Sequence, residues 1–304
     1  MWPSLSLRML GLGGDARSAI ELASRFGFQG VELLVRDLVE QHDDALILGS
    51  MMSDLGLRAG TWPLPMDWRG DRDRFRRDLA QLPAYARVAE QLGLNRTGTW
   101  VLPEILDPLV LDQERPGDAA MGWHLERLVP IAKIVNDHGH RLGLEAIGVS
   151  SFRSGRGLRF IDRLEGLRPL LAALRDHGCD VGLTVDGFHL HAAEESPEIV
   201  RHYGADEVVS VHVSDMHSDA SNCLAELRDE QRRLPSPAGR VPCRQLLRTL
   251  AELEYSGPVF PEPIVGGGGG RMGHDVAVNP EAIVEEAALA LQSVWPSKQS
   301  AESE

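Results

Sequence analysis

The chain of 304 residues holds three cysteines, no long apolar run and no excess of positive charge, and each scarcity removes a class of function. Cys179, Cys223 and Cys243 are far apart and odd in number, with no Cys-x-x-Cys pair, so neither a disulfide framework nor a thiolate zinc or redox site is expected. They read as reduced structural residues. No apolar stretch approaches the roughly 20 residues that a membrane span needs, so no membrane association is expected. The opening "MWPSLSLRMLGLGG" lacks a basic start followed by a continuous apolar segment and a cleavage site, which predicts a cytoplasmic location. With 31 basic residues against 45 acidic ones, a net charge of −14 would repel a phosphate backbone, and nucleic acid is disfavoured as a partner. The one basic stretch, "RGDRDRFRRDLA" (69–80), interleaves Asp with Arg in the manner of a solvated helix start.

What the sequence does contain is a soluble composition, 43% hydrophobic and 25% charged, and an alternation of two periodicities. Short apolar segments ending in polar residues predict strands at 6–11, 30–35, 57–62, 96–102, 141–147, 181–186, 208–214 and 258–263. Between them, helical spacing predicts helices from Ala16 to a stop at Gly27, and at 72–92, 117–138, 166–177, 195–203, 242–253 and 280–294. Eight alternating units favour a closed (β/α)8 TIM barrel over an open doubly wound sheet, as one domain over 1–295 with a disordered tail at 296–304. Two long connections, 215–240 after the seventh strand and the glycine-rich 265–275 after the eighth, fall on the catalytic face of such a barrel, where long loops act as lids.

The strand ends carry the chemistry. The fifth strand ends in Glu145 and the sixth in Asp186, the seventh holds His212 followed by Asp215, and the eighth ends in Glu262. Burying three carboxylates together is prohibitive through desolvation and mutual repulsion, so a cation must neutralise them. Three carboxylate oxygens and one imidazole nitrogen form a hard site for one divalent metal ion. Mn²⁺ is the first choice and Mg²⁺, Co²⁺ or Zn²⁺ are alternatives. Trp62 and Trp100, at strand ends, and Trp68 and Phe188 near the rim are candidates for stacking on a sugar face.

The segments "FGFQGVELL", "LGLEAIG", "VDGFHLH", "VHVSD" and "YSGPVFPEP" resemble the xylose-isomerase-like TIM-barrel superfamily of sugar isomerases and epimerases, over about residues 5–294. The resemblance implies that Glu145, Asp186, His212 and Glu262 hold one divalent metal. It also implies that His189 contacts substrate, with Arg232 or Arg233 of "RRLPSPAGR" as a second contact. Asp215, just after His212 at the seventh strand end, is expected to bind substrate as well. The implied reaction is abstraction of a proton next to a carbonyl through a metal-stabilised enediolate, with Glu145 and Glu262 as base and acid. Return of the proton to the other face gives epimerisation. Loss of a β-group instead gives elimination, so a dehydratase or C-glycoside-cleaving lyase is the alternative on the same ligands. Ser151 stands where ketose 3-epimerases of the family carry a second glutamate, which departs from a simple free-ketohexose epimerase.

The expected partner is thus a small carbohydrate or polyol-derived substrate. No arginine cluster or phosphate-type glycine motif stands out, which favours an unphosphorylated one. A homo-oligomer is compatible with the resemblance, since related barrels often form dimers or tetramers. Two readings from other classes are weaker. Apurinic endonucleases share the barrel but need additional histidines, whereas the third and fourth strands here end in "GTWPLP" and "GTWVLP". A non-catalytic barrel would leave a carboxylate cluster as an unrelieved cost.

Overall fold

Helices and strands alternate around a parallel sheet in a computed structural model that describes residues 1–218, 220–221, 223–263 and 279–297. The glycine-rich segment 265–275 and the tail beyond 297 lie outside the described residues. The strands are β1 (Trp2–Leu5), β2 (Gly30–Val31), β3 (Arg58–Ala59 and Trp62–Pro63), β4 (Arg96–Val101), β5 (Arg141–Ala146), β6 (Val181–Asp186), β7 (Val208–Val213) and β8 (Pro258–Pro261). The sheet order starts at Arg58–Ala59 and finishes at Trp62–Pro63, which are two pieces of β3. One piece pairs with β2 and the other with β4, so the sheet closes into a barrel. Thr97 Oγ1 donates to the Trp62 carbonyl and Leu33 N to that of Thr61, stitching the closure on both sides.

The inner strands are short because they are buried on both faces and need only apolar side chains. Every residue of β6, "VGLTVD", is buried. Inside the barrel the space is tight: a Cβ on Gly143 would fall 2.5 Å from Thr184 Oγ1, so only glycine fits there. The outer helices are α1 (Ala16–Arg25), α2 (Val35–Gln41), α3 (Ala45–Asp54), α4 (Arg72–Gln91), α5 (Pro116–Asp137), α6 (Leu167–Asp176), α7 (Gly187–Ala192), α8 (Cys243–Glu252) and α9 (Pro280–Val294). Most of them turn an apolar stripe inward. In α6 the stripe is Leu167, Leu170, Leu171 and Leu174, spaced i, i+3, i+4, i+7, and burying each leucine contributes about 2 kcal/mol. Among the described residues no helix is long and apolar enough to cross a membrane.

Three element expectations need correction. The first strand is Trp2–Leu5, and residues 6–11 turn back at the rim: Ser6 Oγ accepts from Met9 N, and Gly11 takes a left-handed φ of 70°. Helices α2 and α3 occupy a stretch for which no helix was expected. The signal for α3 is Asp44, whose side chain accepts from Leu46 N and Ile47 N, while the helix itself has no strong apolar stripe. The helix expected at 195–203 is instead α7, directly after β6, followed by a 3₁₀ turn at Pro197–His202. Asp186 ends the strand and caps the helix at once, its side chain accepting from His189 N.

Candidate metal centre

Because the eight barrel strands run parallel, their C-terminal ends share one rim, and four consecutive ends deliver ionisable groups to it. Glu145 lies in β5, Asp186 ends β6, His212 lies in β7, and Glu262 directly follows β8. The register places His212 opposite Asp186 on one side and Phe260 on the other. One ligand atom from each of Glu145, Asp186, His212 and Glu262 lies within 4.8 Å of all the others. Nδ1 of His212 is 2.9 Å from Glu262 Oε2, 3.8 Å from Glu145 Oε1 and 3.9 Å from Asp186 Oδ2. Nδ1 is buried and pairs with Glu262 at 2.9 Å, without a well-formed hydrogen bond to Glu145 or Asp186. An imidazole nitrogen and three carboxylates converging in this way are the donor set of a cation site. These four residues fit a divalent ion.

The electrostatics agree with that fit. Burial pushes the Glu145 carboxyl above its usual range, helped by Asp186 and Glu262 and opposed by His212. Burial also works to raise Glu262, but His212, Arg232 and Arg8 outweigh it and hold Glu262 below the usual range. For His212 burial works downward, yet Glu262, Glu145 and Asp186 raise it to about 9. At neutral pH the protonated His212 and the raised Glu145 thus relieve the repulsion that three bare carboxylates would suffer there, a task a bound cation would take over.

Around this centre the other expected residues separate. His189, in α7, points at it: Nε2 is 4.0 Å from Glu145 Oε1 and 2.9 Å from Arg232 Nη2. Gly148 makes room for α7, since a Cβ there would meet the His189 carbonyl at 2.1 Å. Of the two arginines left open by the sequence, Arg232 turns inward and Arg233 outward. Arg232 is buried, donates Nη1 to Asp186 Oδ2 at 2.6 Å and Nε to Asp229 Oδ1 at 2.7 Å, and lies over the Phe188 ring. Arg233 is exposed beside His217. The alternation follows from their position in a two-residue strand, Arg232–Arg233, that pairs antiparallel with Asp215–Met216.

Asp215 departs from its expected role. Its Oδ1 accepts from the backbone N–H groups of Met216, Arg240 and Val241, so it ties down the end of the long loop rather than facing substrate. Trp62 lines the cavity, but its ring is fully buried and packs edge-on against His140, 5.2 Å away. Trp68 is buried too, donating Nε1 to Thr99 Oγ1. Trp100 remains half-buried at the site, with the Arg69 guanidinium 3.8 Å above its ring and Phe152 edge-on.

A cavity of about 330 Å³ opens over the centre, within the range of small-molecule sites. Residues not expected from the sequence line it: Arg8, Glu32, Thr61, Arg69 and Asp229. Glu32, just beyond β2, accepts from Ser6 Oγ at 2.6 Å, Arg8 Nε at 3.1 Å and Thr61 Oγ1 at 3.0 Å. A strand-end glutamate in "GVELL" was its available signal.

The xylose isomerase-like TIM barrel family model matches residues 20–294, and the chain belongs to that family. A 3-dehydroshikimate dehydratase of Pseudomonas putida is 23% identical over 255 residues, which is 84% of this chain and 37% of that protein, so the chain spans just over a third of this relative. Among solved structures, a xylose isomerase domain protein of Alicyclobacillus acidocaldarius superposes with a TM-score of 0.77 at 23% identity, covering 97% of this chain and 98% of the other. The IolI protein, solved with a bound zinc atom, gives a TM-score of 0.74 at 15% identity, covering 97% and 98%. These structures share the fold.

Proposed function

We propose that this member of the xylose isomerase-like TIM barrel family is a divalent-metal-dependent isomerase or epimerase that moves a proton next to a carbonyl of a polyhydroxylated small molecule. The observation that carries the reading is the convergence of Glu145, Asp186, His212 and Glu262 within 4.8 Å at the base of a cavity. These four would hold the ion, with Mn²⁺ preferred for a mostly carboxylate set and Zn²⁺ as a competitor. When bound, the ion supplies a Lewis acid that acidifies the C–H beside a coordinated carbonyl.

The chain's own groups supply the proton handling. Glu145 and Glu262 come from β5 and β8, the outer two of the four strands, and so reach the reacting carbon from two sides. In the metal-free protein Glu145, desolvated, holds a proton more readily, whereas Glu262 is kept ionised by His212 and Arg232. With the ion holding both as carboxylates, one on each side of the carbon could take the proton and the other return it, which is the arrangement that epimerisation needs. His189 is kept neutral by burial and by Arg232, so it can hydrogen-bond a substrate oxygen without adding charge. Arg232 orients both Asp186 and His189.

A second reading, elimination of a β-hydroxyl by the same groups, is favoured by the likeness to the dehydratase. Incubating metal-loaded protein in D₂O with ketoses, inososes and 3-dehydroshikimate separates the two. Deuterium at the carbon next to the carbonyl of recovered or epimerised material supports the first, an unsaturated product supports the second, and neither with any of the three substrate types overturns the proposal.

A further inference from the structure

Three arginines face the cavity, and two of them are already spent. Arg8 is paired with Glu32 at 3.1 Å, and Arg232 with Asp186 and Asp229. Arg69 is different. Its Nη1 donates to Thr99 Oγ1 and to the Trp100 carbonyl, both at 3.0 Å, and its plane rests on the Trp100 ring. No carboxylate among the described residues lies within ion-pair distance of it, and Nε and Nη2 have no protein partner there. Asp67 and Glu145 act on it only through their more distant charge. Burial lowers its pKa to about 10, so it is still a cation at neutral pH.

The guanidinium is also held in place. Trp68 and Gly70, on either side of it in the chain, both have their carbonyls fixed by Arg127 Nη1, at 2.6 and 2.7 Å. Arg127 is itself buried and lies against the Trp123 ring. Trp68, buried, anchors the same loop to Thr99. A cation fixed on an aromatic face, with one edge unspent and open to a cavity, is a preorganised receptor for a planar anion. The register sets Trp100, on which it rests, directly beside Glu145.

We infer that Arg69 is a specificity residue that binds a carboxylate carried by the substrate, so that the substrate class is a polyhydroxylated keto acid rather than a neutral ketose. This rests on the proposed proton-transfer reading of the same site. It revises the expectation from sequence that no arginine cluster serves the site. A carboxylate is favoured over a phosphate because a single guanidinium edge offers two parallel donors, and no glycine-rich run of backbone N–H groups accompanies it among the described lining residues.

The test is calorimetric titration of the full chain, loaded with Mn²⁺, with 5-keto-D-gluconate, D-fructose and D-fructose 6-phosphate, in wild type and in Arg69→Gln and Arg69→Lys. The keto acid should bind at least about tenfold more tightly than fructose, as a charge-assisted pair implies. Arg69→Gln should erase that margin by weakening keto-acid binding far more than fructose binding, and Arg69→Lys should restore part of it. A keto acid bound no better than fructose, or a margin that survives Arg69→Gln, overturns the inference, and a larger margin for the phosphate replaces the carboxylate with a phosphate. Mn²⁺ uptake measured without sugar is the separate control. Its loss in wild type would sink the metal-dependent reading, whereas normal uptake with no acid preference would sink only the role of Arg69.

Discussion

Arg232 Nη2 and His189 Nε2 meet at 2.9 Å, and since a guanidinium can only donate, Nε2 must be the unprotonated nitrogen of a neutral ring. The proton then sits on Nδ1. Burial, followed by the charge of Arg232, lowers the His189 pKa and keeps this form. Nitrogen-15 NMR of the His189 ring should show a single neutral tautomer, protonated at Nδ1, that persists below the pH at which an ordinary histidine titrates. In Arg232→Met the resonance should titrate at higher pH, because a cation that opposes ring protonation is gone. Turnover should fall by about 100-fold, as for loss of a group that orients two others. A His189 that titrates normally in wild type would contradict the arrangement.

Metal binding must displace protons. At neutral pH the metal-free cluster keeps His212 protonated, its pKa being raised to about 9, and the raised Glu145 holds part of a second proton. Metal needs both groups bare, so affinity should climb with pH, about tenfold per unit for each proton displaced, and flatten above pH 9. Isothermal titration in buffers of different ionisation heat reads the released protons directly. Asp186→Ala should weaken binding by more than about 100-fold, beyond the effect of losing an outer-shell partner. Elemental analysis of the purified protein should give one equivalent in wild type and none in the variant. Release of no proton at pH 7 would contradict the His212 assignment.

The four converging side chains are legible in the sequence because each lies within one residue of the end of a short apolar strand, and a barrel brings such ends to one rim. Arg8 is hidden by a displaced strand: apolar Leu7, Met9 and Leu10 extend the strand pattern, although the chain turns after Leu5 and puts Arg8 on the rim. Arg69 is hidden by its neighbours. Arg72, Arg74 and Arg76 are solvated helix residues in the same basic run, and a linear charge pattern does not reveal the one that turns inward over Trp100. Asp215 misleads in the opposite direction, because proximity to His212 in sequence says nothing about backbone donors 25 residues later.

Asp215 is therefore expected to matter for stability rather than for chemistry. Its side chain satisfies three backbone N–H groups, and Gly239 packs so closely on it that a Cβ would come 1.7 Å from Oδ2. Asp215→Ala leaves those donors without an acceptor and should cost about 2–4 kcal/mol in denaturant unfolding. Metal stoichiometry should be unchanged, since Asp215 is not among the four converging residues. Arg233→Ala, by contrast, removes an exposed side chain and should alter both stability and turnover little. A variant Asp215→Ala with full stability and impaired substrate binding would reverse this assignment.

His124 gives the barrel an acid limit that is independent of the site. It is fully buried on α5, with Trp68, Trp123 and Phe160 around its ring and Nδ1 bonded to the Ala120 carbonyl. Burial lowers its pKa to about 4, with the nearby Arg127 adding to the effect. The unfolded chain, where histidine titrates near 6.5, takes up this proton first, so between pH 6.5 and 4 protons favour unfolding. Stability from this residue is complete above pH 6.5 and is lost as pH falls, by up to about 3 kcal/mol at pH 4. Because Arg127, next to this cluster, also fixes the loop that presents Arg69, acid unfolding should start here and reach the cavity wall through that loop. Urea denaturation of wild type and His124→Gln at pH 7 and pH 5 is the measurement. The variant should be the less stable at pH 7, through lost packing, and should lose less than wild type on going to pH 5. An equal loss in both would place the acid sensitivity elsewhere.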